Sequence, residues 1–213
     1  MTDDLERRLA GVTPRTDGVD LDALKASLAR RAQDAGLLDV GYATYDSPLG
    51  ALTLMVTPRG VLQVSYPGEP IEAQLEEIGR RISPRILEAP ARTDEVRRQL
   101  DEYFAGRRHR FEVPIDWRLT AGFTTRVLQA TARIPFGSVS TYRGVATEAG
   151  SPNAYRAAGN ALASNPIPIV VPCHRVLHAG GGIGGYTGGI DRKRFLLGLE
   201  GVRPRNDPGA ARV

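Results

Sequence analysis

STYRGVATEAGSPNAYRAAGNALASNPIPIVVPCHRV, residues 140–176, passes from helix-forming residues through an Asn-Pro turn into an apolar run that ends at Pro172-Cys173-His174-Arg175. Ser140 is placed to cap a short helix running to about Ala149, and Gly150 ends it. Ser151 offers a second cap, and Pro152 suits a first helical position, where its missing N–H has no partner to lose. The helix opened there is expected to run to about Ala163. Two short helices joined by Gly150-Ser151 read as a helix-turn-helix, whose second helix commonly meets DNA; helical hairpins of this length also occur as plain core packing. Residues 167–171, Ile-Pro-Ile-Val-Val, suit a buried segment, and Pro172 takes the chain out of regular pairing because it has no N–H to donate.

Cys173 is the only cysteine in the chain. A single thiol forms no intramolecular disulfide and no multi-cysteine zinc site, so it is either a small buried hydrophobe or a nucleophile. On a regular strand Cys173 and His174 would point to opposite faces, whereas a turn at Pro172 lets both serve one site. A thiol reacts as its thiolate, which a neighbouring base favours. Pro-Cys-His-Arg followed by the glycine-rich GGGIGGYTGG, residues 180–189, tips the balance to the nucleophile.

Upstream, GYATYDSPLGALTLMVTPRGVLQVSYPG (residues 41–68) gives three β-rich runs separated by Ser47-Pro48-Leu49-Gly50 and Pro58-Arg59-Gly60, the pattern of an antiparallel meander. Residues 70–82 and 93–105 read as helices, 110–117 as an edge strand or extended link, and 124–133 as a helix broken by Pro135-Phe136-Gly137. Asp20 is placed to cap a helix to about Ala35, where Leu21, Leu24, Leu28 and Ala32 recur at helical spacing and predict docking on the body. Residues 1–19 read as a frayed tail. The resulting class is α+β, in three parts: an extension over 1–38, an α/β part with a small antiparallel sheet over 39–118, and a helical part over 119–213.

The 213 residues are 41% apolar and 24% charged, ordinary for a soluble globular protein. No run reaches the roughly 18 apolar residues of a membrane span, and MTDDLERRLAGV lacks an apolar signal core. With one cysteine, the reading is a soluble protein of the cytoplasm, without membrane contact. Net charge is +4, unevenly spread: residues 1–118 hold 17 Lys+Arg against 20 Asp+Glu, and residues 119–213 hold 11 against 4. A basic C-terminal half points to a polyanionic partner, although a solvated arginine-rich surface has the same composition.

The chain resembles the O6-alkylguanine-DNA alkyltransferases, or methylated-DNA–protein-cysteine methyltransferases. The PCHR tetrapeptide in IPIVVPCHRV carries the likeness, with IPFGSVSTYRGVA, AGSPNAYRAAGNALASNPIPIVVPCHRVL and GGYTGGIDRKRFLLGLEG. It is strong over 119–201, looser over 41–118, and does not reach 1–38. The resemblance implies direct-reversal DNA repair on double-stranded DNA containing O6-alkylguanine. The alkyl group passes irreversibly to Cys173, once per molecule, so that the protein inactivates itself. It implies that His174 acts as a base through a water, with Glu200 on its other nitrogen setting the tautomer and favouring the cation. It further implies that Tyr142 donates toward the guanine and helps flip its nucleotide. Asn165 would brace the turn before the active-site segment, and Arg156 would fill the gap left in the duplex. Tyr186, Thr187 and Pro168 would line the substrate pocket, with the Thr187 hydroxyl near O6. Ala154, Ala157, Ala158 and Gly159 would let the second helix approach the minor groove closely. Tyr155 departs from the family, which usually has a small residue there. No cofactor and no metal are expected, and His109 and His178 are read as surface residues. The expected state is a monomer, with cooperative assembly on DNA left open. Two other readings compete: a non-catalytic lesion-binding module of the alkyltransferase-like type, against which Cys173 stands, and a cysteine hydrolase, which would need repeated turnover and an oxyanion hole.

Overall fold

The computed structural model describes residues 20–68 and 70–205; the tail read over 1–19 lies outside them. Helix α1 (Leu21–Asp34) is capped by Asp20, whose carboxylate accepts from Asp22 and Ala23 N–H. Strands β1 (Val40–Ser47), β2 (Gly50–Thr57) and β3 (Gly60–Ser65) form the antiparallel meander. A fourth strand, β4 (Ile86–Glu88), adds in parallel beside β1, so the sheet is mixed, in the order β3-β2-β1-β4. The alternation of β2 explains its position: Met55 faces a small cluster with Val40, Leu62 and Ile78 of α2 (Ile71–Arg81). On the other face Leu52, Leu54 and Val56 join Val96, Leu100 and Tyr103 of α3 (Asp94–Phe104).

That second face also carries the C-terminal half, because the same cluster continues into Val127, Leu128, Ile167, Ile169 and Leu196. One apolar core therefore spans the sheet and the C-terminal helices. The link over residues 110–117 lies along β3: Val61 N–H donates to Pro114 O at 2.8 Å and Asp116 N–H to Val61 O at 2.9 Å. Gly60 permits this approach, since a Cβ there would sit 2.1 Å from Pro114 O. Beyond it come α4 (Gly122–Ala132), the two-residue β5 (Ser140–Thr141), α5 (Tyr142–Glu148), α6 (Tyr155–Ala163), β6 (Val176–Leu177) and α7 (Ile190–Leu199). β5 pairs in parallel with β6, which ties the start of α5 to the segment after Cys173. Among the described residues no helix is long and apolar enough to cross a membrane.

Three local expectations are corrected. Thr141, not Ser140, caps α5, accepting from Gly144 N–H at 3.0 Å. Helix α6 starts at Tyr155 rather than at Pro152 and has no side-chain cap. Ser151 and Pro152 belong to the turn, where Gly150 takes a left-handed conformation (φ 80°) and Ser151 N–H closes back on Ala146 O at 2.8 Å. Helix α1 does dock, but on Ala29 and Ala32 against Leu38, Leu87 and Ala89. Its leucines face solvent instead: Leu21, Leu24 and Leu28 are 59%, 58% and 56% exposed.

Candidate active site

Helix α6 delivers the chain to Asn165, and Asn165 shapes the active-site loop. Its Oδ1 accepts from Ile167 N–H at 3.0 Å, and its Nδ2 donates to Val171 O at 2.9 Å and to Cys173 Sγ at 3.1 Å. One amide thus closes the turn and touches the sulfur. Within the loop Ile169 sits at φ 73°, a left-handed conformation that a β-branched residue adopts only when its surroundings enforce it. Complete burial of Ile169 in the core supplies that enforcement. Cys173, His174 and Arg175 then form a single 3₁₀ turn after Pro172.

Because of this turn Cys173 and His174 both point inward. His174 is 0% exposed, and its Nε2 lies 2.9 Å from Glu200 Oε1, at the end of α7. The same carboxylate accepts from Tyr103 Oη at 2.7 Å and from Arg175 Nη2 and Nε at 2.8 Å each. Burial alone would raise the Glu200 carboxyl, but the bonds from His174 and Arg175 overcome this and hold it at about 2. The resemblance has Glu200 favouring a cationic His174, and its carboxylate does pull in that direction. Burial pushes the His174 pKa down, assisted by the nearby Arg175 and Lys193 charges, and Glu200 does not compensate. Burial favours the neutral imidazole, in which Nε2–H is given to the Glu200 carboxylate, while the buried Nδ1 has no hydrogen-bonding partner among the described protein atoms. A neutral ring held in this tautomer keeps one nitrogen free to take a proton.

Burial also pushes the Cys173 thiol up, opposed by hydrogen bonds from Asn165 and Tyr186 and by the charge of Lys193. Lys193 is fully buried on α7, donating to Val176 O at 2.7 Å and Gly185 O at 3.3 Å, and burial lowers it to about 8.

Cys173 lies at the wall of a cavity of about 460 Å³ lined by Tyr142, Gly159, Leu162, Gly185, Tyr186 and Thr187. Tyr142, Tyr186 and Thr187 therefore line the same cavity as Cys173. The Thr187 hydroxyl is already engaged, donating to Ala163 O at 2.6 Å. Pro168 lines a second cavity of about 450 Å³, which shares Cys173, Tyr186 and Thr187 with the first. At the N-terminal end of α6, Tyr155, Arg156 and Ala157 are exposed, whereas Ala158 is buried beneath them and Gly159 packs near Tyr142. Tyr155 lies between two guanidinium groups, those of Arg143 at 5.4 Å and Arg156 at 5.8 Å from its ring. His178 is on the surface, its ring 5.4 Å from that of Tyr142, and His109 stacks on Phe136.

Sequence reasoning passed over Lys193, Arg175 and Tyr103 as members of the site. A signal existed for the first: Lys193, Leu196, Leu197 and Glu200 recur at helical spacing, so a lysine occupies the apolar face of α7.

Two family profiles match the chain. Residues 40–117 match the ribonuclease-like domain of 6-O-methylguanine DNA methyltransferase, and residues 122–202 match its DNA binding domain. The methylated-DNA–protein-cysteine methyltransferase of Mycobacterium tuberculosis is 39% identical over 173 residues, 79% of this chain and 96% of that protein. The constitutive Bacillus subtilis protein of the same name is 34% identical, over 76% and 95%. Among solved structures, the M. tuberculosis O6-methylguanine methyltransferase superposes with a TM-score of 0.66 at 37% identity, over 79% of this chain and 96% of that one. The M. tuberculosis OGT in complex with DNA gives 0.65 at 38%, over 75% and 92%. With an α+β fold, a thiol in the PCHR turn and these matches across both halves, the chain belongs to the 6-O-methylguanine DNA methyltransferase family, the methylated-DNA–protein-cysteine methyltransferases.

Proposed function

We propose that this methyltransferase repairs duplex DNA directly, moving the alkyl group of O6-alkylguanine onto Cys173. The observation that carries the reading is the position of the sulfur. It lines a cavity beside α6, the second helix of the helix-turn-helix, and is held there by the amide that ends that helix's turn. A base stacked in a duplex is out of reach, so the lesion must rotate into this cavity, and weakened pairing at a damaged base lowers that cost. Arg156, exposed at the start of α6, would fill the space it leaves.

The chemistry is a displacement at the alkyl carbon. His174 Nδ1 takes the thiol proton through a water, and Nε2–H stays on Glu200. The Cys173 sulfur then bonds to the carbon as the carbon–O6 bond breaks, and the electron pair returns to O6. The guanine anion released takes one proton from Tyr142 on the cavity wall; Tyr142 regains one from solvent and the His174 imidazolium gives up the one it took, so the protons balance. A thioether has no ready leaving route, and the protein is spent after one event. The neutral histidine suits this order, because an imidazolium has no lone pair to accept the first proton.

The basic half supplies a phosphate-facing surface, in which Arg126, Arg143 and Arg156 belong to the helices around the turn. The protein acts as a monomer on one lesion, in the cytoplasm, where a reducing milieu preserves the free thiol. Incubation with DNA carrying a radiolabelled O6-methyl group tests the reading. Label should pass to the protein and saturate at one equivalent; binding without transfer would leave a lesion-binding module, and released label would indicate a hydrolase.

A further inference from the structure

Tyr155 is the first residue of α6 and is 39% exposed, with the small Ala154 and Ala157 on either side of the Tyr155-Arg156 pair. No step of the displacement at the alkyl carbon uses it. The guanidinium of Arg143, the second residue of α5, lies 5.4 Å from its ring centroid, and that of Arg156 lies 5.8 Å away. Both arginines are exposed. Among the described residues neither has a carboxylate partner; the one acid of α5, Glu148, lies 3.6 Å from Arg133 instead. Two like charges thus gather over one ring without a counter-charge, and only the negative face of the ring offsets their repulsion. A cluster of this kind is completed by an anion from outside.

Duplex DNA offers its anions in a fixed order. From the outside of a strand to its interior come phosphate, deoxyribose and base. Arg143 belongs to the phosphate-facing surface, and Arg156 stands where the flipped base leaves its gap. Between a phosphate and the base it carries lies an uncharged sugar, whose C–H groups suit an aromatic ring and not a third cation. We propose that Tyr155 is a DNA-contact residue, packing its ring on the deoxyribose that flanks the lesion, between the phosphate met by Arg143 and the gap filled by Arg156. The contact forms on docking, before the base rotates, and the small neighbours of Tyr155 let the strand approach it. It is made of shape and apolar area, so it adds affinity without reading sequence. This rests on the reading of α6 as the helix that meets duplex DNA.

Single-turnover repair of an O6-methylguanine duplex, followed against protein concentration at several salt concentrations, separates docking from flipping. Tyr155→Ala should raise the half-saturating concentration about fivefold or more, with the limiting rate unchanged. The slope of log affinity against log salt should also stay as in the wild type, because a ring releases no counterion. Arg143→Ala should raise the half-saturating concentration too, but lower that slope by about one. Tyr155→Phe should behave as the wild type, since the contact is the ring and not its hydroxyl. Reaction with free O6-benzylguanine should be equal in all four proteins, which shows that the fold is intact. An unmoved half-saturating concentration in Tyr155→Ala would overturn the proposal. So would a loss confined to the limiting rate, a salt slope lowered as in Arg143→Ala, or a Tyr155→Phe protein as weak as Tyr155→Ala. Failure of the wild type to bind the duplex at low salt would instead defeat the reading of α6 as a DNA-binding helix.

Discussion

Tyr103, on the helix packed against the sheet, donates its hydroxyl at 2.7 Å to Glu200, the carboxylate that also holds His174. Both residues are buried, and they are 97 positions apart in the chain. The charge balance of the site is thus completed from the N-terminal half. Arg175 provides the cation, Glu200 the anion, and Tyr103 a neutral donor whose own ionisation burial and Glu200 both suppress.

Acid stability should report this arrangement. The Glu200 carboxyl is held at about 2 against an ordinary 4.5, so its stabilisation is complete above pH 4.5 and is lost as pH falls toward 2. A depression of that size corresponds to about 3 kcal/mol. His174 acts in the same direction from higher pH: its pKa is lowered, so the unfolded chain binds a proton below about 6.5 that the folded one refuses. Urea unfolding between pH 7 and pH 2 should show steep loss in the wild type. Glu200→Gln should start lower at neutral pH, on the order of 3 kcal/mol for stranding a buried arginine, and lose less between 4.5 and 2. Equal slopes for the two proteins would mean that the carboxylate is not so paired.

Asn165→Ala removes three contacts at once and leaves the Ile167 N–H without its partner, while Val171 O keeps only the Cys173 N–H. The expected cost is about 1–3 kcal/mol of stability. Reaction with free O6-benzylguanine should slow as well, since the amide also donates to the sulfur. Normal reactivity in a destabilised Asn165→Ala protein would reduce the residue to a turn brace.

The meander was legible because Ser47-Pro48-Leu49-Gly50 and Pro58-Arg59-Gly60 are local signals that act over four residues or fewer. The Cys173–His174 turn was legible for the same reason, given Pro172. The start of α6 was misread because Ser151 and Pro152 satisfy the local grammar of a helix start, while the left-handed Gly150 and the Ser151–Ala146 bond use those residues for the turn. The leucine stripe of α1 failed differently: periodicity says that a face is apolar, and tertiary packing decides which face docks. Tyr103 had no local signal at all, since its partner lies 97 positions away. The downward push on the His174 pKa comes from burial, which no motif encodes.

Arg156→Ala should slow repair of duplex DNA about tenfold or more while leaving reaction with free O6-benzylguanine nearly unchanged, because a finger stabilises only the flipped state of a duplex. Arg156 is exposed at the second position of α6, with its guanidinium over Tyr155 at 5.8 Å, so its removal should disturb little of the core. Second-order rates on both substrates give the ratio that decides. If both rates fall by one factor, Arg156 is not the finger, and Tyr155 between its two arginines becomes the residue to test next.

The central claim is that the alkyl group ends on the sulfur of Cys173, and intact-mass and peptide mass spectrometry after reaction with O6-methylguanine duplex test it most directly. The account predicts one added methyl group per protein, confined to the peptide containing Cys173, and no mass change in Cys173→Ser, which is nearly isosteric and should still bind the duplex. Methylation at any other residue, or transfer by Cys173→Ser, would contradict it.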